Sequence, residues 1–432
     1  MTDRYSLIHG RLQLAVGQGG FHLGAVIDPR RPTTDRLWDA SCVWIYDCGS
    51  EPRRHVDKAI DGLLATRRTF VDFLFLSHFD RDHICGTAKL LNAKTGMTAE
   101  TVVIPYLDDT ERMVAFGRTC ALREGRWVDR IVGDLAIDPV AALRSLNVGR
   151  IIMIGAERDE GPPGEPANPP IGPEGEDGPR WAAKPLPESH DGHFPVRTTN
   201  DGAIFMQDTC FHVQPRAHAP AWRLIPYVRR AAPERIAEFE LATEALLGWK
   251  RHSFREQMSS KAMRRRAVSK HRMQLGRAYR YAFEDKNMTS MSLYSGPGEE
   301  TRVKWVYPDV SRTVPNRIGW VGTGDADLRD PQEIEAFEDH YGRMLDTVST
   351  FVLPHHGSIH NSDPNRPVVI ADTWVACAEP IHKTWNHPAD ELRDAIERRG
   401  RNFHHVRSDP STSLFEVALV GWNARLDLET LE

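Results

Sequence analysis

The chain has 432 residues, 27% of them charged, and a formal net charge of -5. That length allows a sizeable core, in one large domain or roughly two to three smaller ones. The mild charge excludes global steering toward nucleic acid or membrane, so any such partner must meet a local patch. The six cysteines (Cys42, Cys48, Cys85, Cys120, Cys210 and Cys377) form no C-x-x-C pair, which argues against a disulfide framework and for reduced thiols. The N-terminal Met1-Thr2-Asp3-Arg4-Tyr5 lacks the basic-then-apolar pattern of a signal peptide, and no apolar run approaches the ~20 residues of a bilayer span. A soluble, cytoplasmic protein is expected.

In chain order, Leu12 to Val16, Phe21 to Ile27 and Cys42 to Tyr46 read as strands broken by Gly and Pro. Val56, Ile60, Leu63 and Leu64 have helical spacing. Val71 to Leu76 is the next strand, followed by a short helix over Ile84 to Leu91 and a strand over Thr101 to Ile104. Residues 156–200 are rich in Pro and Gly and read as a linker or lid. Strands follow at Ala203 to Val213 and Trp222 to Val228, then a helix over Pro233 to Leu247 with Pro233 in its first turn. Residues 250–280 hold eleven Lys and Arg against one acid, Glu256, in a stripe of helical character. Strands are expected at Met288 to Tyr294, Ile318 to Val321, Thr350 to Leu353, Val368 to Trp374 and Leu414 to Leu419, with helices near 331–344 and 388–398. Two α/β halves, 1–105 and 286–432, thus flank an insertion over 106–285.

The stretch Ser77-His78-Phe79-Asp80-Arg81-Asp82-His83 carries the chemistry. Four side chains able to bind a metal lie within six positions, where a buried strand should end. The second half supplies Gly324-Asp325, His355-His356-Gly357-Ser358 and Asn386-His387-Pro388, also at expected strand ends. Gly324-Asp325 alone is an ordinary turn, and a His pair alone a helix cap or surface pair. Their order and placement point instead to one cage of imidazole and carboxylate, a two-metal hydrolase site.

On Val16-Gly17-Gln18-Gly19-Gly20, Asp47-Cys48-Gly49, the 77–86 stretch, Asn287 to Leu293, Thr323-Gly324-Asp325, His355-His356-Gly357-Ser358 and His387-Pro388, the chain resembles the metallo-β-lactamase fold hydrolases. It is most similar to the β-lactamase-like domain of the ComEC type and its free-standing relatives. The resemblance covers about the first hundred and the last hundred and fifty residues. It implies an α/β (α+β) fold, a four-layer αββα sandwich with metals at one edge between two sheets. It implies that His78 and Asp80 bind a first ion and that Asp82 and His83 bind a second. Asp325 would bridge both and His355 would complete the second site. Asp47 would orient ligands, and His387 would contact substrate phosphate or protonate the leaving oxygen. The broad fold has His where Asp80 stands; a carboxylate there hardens the site and makes manganese or magnesium plausible beside zinc. The fold's further first-site His has no counterpart here, and His190 and His193 read as solvated loop residues.

Two divalent ions, Zn²⁺ or Mn²⁺, would ionise water near neutral pH and hold nucleophile and leaving oxygen, with Asp82 orienting the attacking water. The basic stripe, including Arg264, Arg265, Arg266 and Lys270, would hold a nucleic-acid backbone, with Tyr279, Tyr281 and Phe283 available for base stacking. The leading expectation is a metal-dependent phosphodiesterase, a nuclease. The alternatives are a metallohydrolase of a small ester, lactone or thioester, and a non-catalytic binding module on the same scaffold.

Overall fold

The run Val71 to Leu76 is buried from end to end, as a parallel strand covered on both faces must be. Phe73 and Phe75 point into one hydrophobic layer and Leu74 and Leu76 into another. That alternation places strand Phe70–Phe75 at the centre of the molecule. The computed structural model describes residues 7–28, 42–66, 69–94, 96–123, 128–156, 160–175, 178–186, 194–214, 221–283, 289–298, 301–307, 317–379 and 386–422. The protein is a mixed α/β structure.

Among the described residues two large sheets form. The first has eleven strands, in the order Thr301–Tyr307, Leu414–Trp422, Leu7–Gln13, His22–Ile27, Cys42–Tyr46, Phe70–Phe75, Thr98–Pro105, Val148–Ile154, Ile204–Met206, Val196–Thr199 and Gly164–Pro166. The second has eight, in the order Trp181–Pro185, Thr209–Val213, Trp222–Val228, Met291–Pro297, Gly319–Gly322, Val348–Val352, Thr373–Cys377 and Asn402–Val406. Aromatic side chains from both sheets share one core: Trp44, Phe73 and Phe75 from the first meet Trp181, Phe211 and Trp222 from the second. The rings of Phe73 and Trp181 lie 4.6 Å apart between centroids. Helices cover the other face of each sheet. Arg54–Ala65 and Asp109–Leu122 pack on the first through Ile60 and Phe116, and Pro331–Tyr341 packs on the second through Phe337 and Tyr341.

A buried guanidinium clasps the two sheets. Arg11, 2% exposed, donates to Glu416 at 2.7 Å on the neighbouring strand. It also donates to Ile318 O at 2.7 Å, Ser349 Oγ at 2.9 Å and Thr350 Oγ1 at 2.8 Å, on or beside strands of the second sheet.

Residues 106–285 do not stand apart as an insertion. Val148–Ile154 pairs in parallel with Thr98–Pro105, and Trp222–Val228 pairs with Met291–Pro297. The expected boundaries at 105 and 285 therefore separate no structural units. The strand expected over Ala203 to Val213 is two strands in different sheets. The chain crosses between them at Gln207 and Asp208, and Asp208 takes a positive φ of 43°. The described part of 156–200 is not a free lid, since Gly164–Pro166, Trp181–Pro185 and Val196–Thr199 extend the sheet edges. His190, His193 and Asn287 lie outside the described residues. Among the described residues, no helix is long and apolar enough to cross a membrane.

Candidate metal centre

The site residues all leave the C-terminal ends of strands in the parallel parts of the two sheets, where open α/β sheets present ligands. From the first sheet come Asp47, after Cys42–Tyr46, and the 77–83 loop, after Phe70–Phe75. From the second come Asp325, after Gly319–Gly322, and His355 and His356, after Val348–Val352. His387 follows Thr373–Cys377.

Close backbone approach makes the convergence possible. A Cβ on Gly49 would lie 2.5 Å from the backbone of both Asp82 and His83, so only glycine lets the two loops meet. At Gly324, with φ +54°, a Cβ would come within 2.2 Å of Ser290 Oγ and 2.9 Å of Ser77 Cβ. Asp47, His355 and His356 also hold positive φ angles, of 60°, 47° and 60°. Such conformations cost about 1–3 kcal/mol each in non-glycine residues and gather at functional sites.

Two groups of ligand atoms lie within 4.8 Å of one another: His78, His83 and Asp325, and Asp82, His83 and His356. Nε2 of His78 and of His83 faces the Asp325 carboxylate at 3.5 and 3.3 Å. Both nitrogens are buried without a well-formed hydrogen bond. Each imidazole has an oxygen at Nδ1. His83 Nδ1 donates to Asp47 Oδ2 at 2.7 Å, and His356 Nδ1 to Cys377 O at 2.9 Å. His355 Nδ1 donates to Asn361 Oδ1 at 2.8 Å. His78 Nδ1 donates to Ser77 Oγ at 2.8 Å, and that hydroxyl donates to Asp47 Oδ2 at 2.9 Å. These partners place the ring proton on Nδ1 and turn the Nε2 lone pair inward, the arrangement a metal-binding histidine needs. By this test the donors fit a divalent cation.

The charges respond to one another. Burial alone would raise the Asp82 carboxyl, but His83 and His356 hold it well below the usual carboxylate range. Asp325 is likewise held low against its burial by His355, His78 and His83. Burial would lower His83, yet Asp47, Asp325 and Asp82 raise it well above an ordinary histidine. His387 is pushed down to about 3, by burial first and then by His356 and His355. It is therefore neutral at pH 7. In that state it can donate an N–H hydrogen bond, which suits the phosphate contact expected of it as an alternative to the acid role.

The expected ligands split. His78, Asp82, His83 and Asp325 come together. His355 lies farther out, its Nε2 3.8 Å from Asp325 Oδ2, and the neighbouring His356 takes the place beside Asp82, Nε2 to Oδ2 3.0 Å. Asp80 is turned to a residue that sequence reasoning missed. Arg118, 3% exposed on helix Asp109–Leu122, forms a close ion pair with Asp80 and donates to Asp325 Oδ2 at 3.1 Å. Its only signal in sequence was a lone arginine among buried helix positions.

The basic stripe is corrected in part. Arg264 is buried, with its guanidinium donating to the carbonyls of Ile137, Met258 and Ser259 and paired with Asp109 at 2.8 Å. Its Nε and Nη1 groups are committed to these protein partners. Arg265, Arg266 and Lys270 are exposed on the same helix. Tyr279 and Phe283 are core residues, while Tyr281 is 74% exposed. A cleft of about 900 Å³ opens on Asp325, its wall including Arg229, Arg230, Arg235 and Arg255.

Compared with known proteins, the chain matches no family model and no curated protein.

Proposed function

We propose that the protein is a metal-dependent hydrolase of phosphodiesters, a nuclease, on a metallo-β-lactamase-like αββα scaffold. One observation carries this reading: imidazoles from both sheets, each with Nδ1 committed to an oxygen, present Nε2 to two carboxylates, the buried Asp325 and the part-buried Asp82. Asp82, His83 and His356, with Asp325 beside them, would hold a divalent ion, zinc or manganese. Such an ion supplies Lewis acidity and makes water a usable nucleophile near neutral pH.

The chain's own residues do the rest. The side chain of Asp82 is 20% exposed and ionised, so it can accept a hydrogen bond from the attacking water and orient it. Asp47 holds His83 and, through Ser77, His78. The neutral ring of His387, 5.3 Å from that of His355, can donate to a substrate oxygen. The cleft has Asp325 in its wall and the volume for a nucleotide-sized substrate, and the exposed face of Arg265, Arg266 and Lys270 suits a polyanion.

A second reading, hydrolysis of a small ester, lactone or thioester, is favoured by one observation. The cleft arginines are already engaged, Arg230 with Glu111 at 2.8 Å, Arg255 with Glu240 at 2.7 Å and Arg229 with Glu333. The test is metal analysis of the purified protein. Cleavage of plasmid, single-stranded DNA and RNA with Mn²⁺, Zn²⁺ and Mg²⁺ follows, against Asp82→Ala. Equal behaviour of wild type and Asp82→Ala on every substrate would sink the catalytic reading. Arg265→Glu with Arg266→Glu separates the two substrates, since it cripples a nuclease and spares a small-ester hydrolase.

A further inference from the structure

We infer that Arg118 stands in for the first of the two ions the site was expected to hold, so that the chain binds one divalent cation rather than two. The inference rests on the metal-dependent reading above and refines it. The donors of the site are not equally engaged. Asp82, His83 and His356 bring their ligand atoms within 4.8 Å of one another, and among the described residues the ion pair of Asp82 is with His356, not with an arginine or lysine. Around Asp80, Asp325 and His355 a permanent cation is already in place. Arg118 pairs with Asp80, donates to Asp325 Oδ2 at 3.1 Å, and donates to His355 Nε2 at 3.4 Å. The guanidinium thus engages Asp80 and Asp325, the two carboxylates expected of the first ion, and also His355, the imidazole expected of the second. An arginine keeps its charge at any working pH, so the position cannot be vacated by deprotonation.

Nor can Arg118 readily withdraw. Its helix is locked against Arg272–Phe283, where a Cβ on Gly276 would lie 2.9 Å from Ala121 N. On the same helix, a Cβ on Gly117 would lie 3.1 Å from Leu275 O. The N-terminus is fixed by a capping box of Asp108 and Glu111. The cavity that Arg118 lines is about 20 Å³, room for one water and not for a guanidinium. Arg118 is not among the described residues that wall the large cleft. Asp80, whose carboxylate also lies 3.4 Å from His78 Nε2, is then the arginine's partner and not a metal ligand.

The experiment is calorimetric titration of metal-stripped protein with Zn²⁺ alone and with Mn²⁺ alone, checked by elemental analysis after dialysis. Wild type is expected to bind one ion per chain. Arg118→Ala, which frees Asp80, Asp325 and His355, is expected to bind two. Arg118→Lys keeps the charge and should stay at one. Asp80→Asn should leave both the stoichiometry and the affinity of the wild-type ion unchanged, and it keeps the inference testable if Arg118→Ala does not fold. Two ions in wild type, one in a folded Arg118→Ala, or a tenfold weaker ion in Asp80→Asn would overturn the assignment and leave the hydrolase reading standing. No ion of either metal in wild type would instead remove the hydrolase reading, and the inference with it.

Discussion

Replacing Arg264 by alanine tests whether the basic segment is substrate surface or scaffold. The side chain ties three elements together: the end of helix Arg130–Ile137 through Ile137 O, the end of helix Phe254–Ser259 through Met258 O and Ser259 O, and the start of helix Asp109–Leu122 through Asp109. Truncation leaves those carbonyls without their charged donor. The Asp109 side chain is 37% exposed, so losing that ion pair adds little. Charge-assisted hydrogen bonds contribute about 1.5–3 kcal/mol each, partly replaced by water, which gives about 3 kcal/mol for the site. At about 2.1 cal/mol/K per residue, a 432-residue chain unfolding as one unit has an entropy near 0.9 kcal/mol/K, so Tm should fall by about 3 °C. Arg265→Ala and Arg266→Ala, on the exposed face, should stay within about 0.5 kcal/mol of wild type. The assay is thermal unfolding of the three variants beside nucleic-acid retention at two salt concentrations. A fall of under about 1 °C for Arg264→Ala together with a tenfold loss of nucleic-acid retention would refute the reasoning.

Asp47→Asn removes the charge that fixes His83 Nδ1 and receives the Ser77 hydroxyl; metal affinity by competition with a chelator should drop about 10–100-fold, and an unchanged affinity would mean that Asp47 does not position the ligands. Acid should destabilise the protein through His9 and His22, whose rings are buried and stacked on Trp222 and Trp320 at 4.2 and 3.9 Å. Burial first, then Arg11, lowers both pKa values well below the ordinary histidine value. Their contribution is present above about pH 6.5, the unfolded-state value, and is lost as pH falls toward the depressed folded values, at up to about 1.4 kcal/mol per pH unit for each ring. Urea midpoints at pH 7.5 and 5.5 should therefore differ less in His9→Gln than in wild type; equal differences would contradict the assignment.

The candidate site was legible where chemistry is concentrated locally. Four donors within 78–83 after a fully apolar run can be read from spacing alone, because a buried strand must end before polar groups begin. The choice between His355 and His356 could not be read. Both have positive φ angles, and which ring turns toward Asp82 depends on a carbonyl, Cys377 O, that arrives from another strand. Arg118 was hidden for a related reason, since its meaning comes only from the packing that aims it at Asp80 and Asp325. In the fold, strand Cys42–Tyr46 matched its apolar run. The run Val368 to Trp374 misled, because the strand begins at Thr373 and the Val368-Val369-Ile370 cluster instead packs as irregular backbone, Ile370 being 66% exposed. Strand Asn402–Val406, with its two histidines, sits at the sheet edge and does not show the alternation of a half-buried strand.

The clasp of Arg11 and Glu416 has a consequence for biosynthesis. The partners are 405 positions apart, so at ~5–20 residues per second a ribosome needs roughly 20–80 s between them. Throughout that interval the strand Leu7–Gln13 lacks its outer neighbour Leu414–Trp422, and its guanidinium has no carboxylate to neutralise it. Nascent chains thus carry an open β edge for most of their time on the ribosome. Products that stall before residue 414 should pair with one another through that edge and precipitate, whatever the condition of their metal ligands.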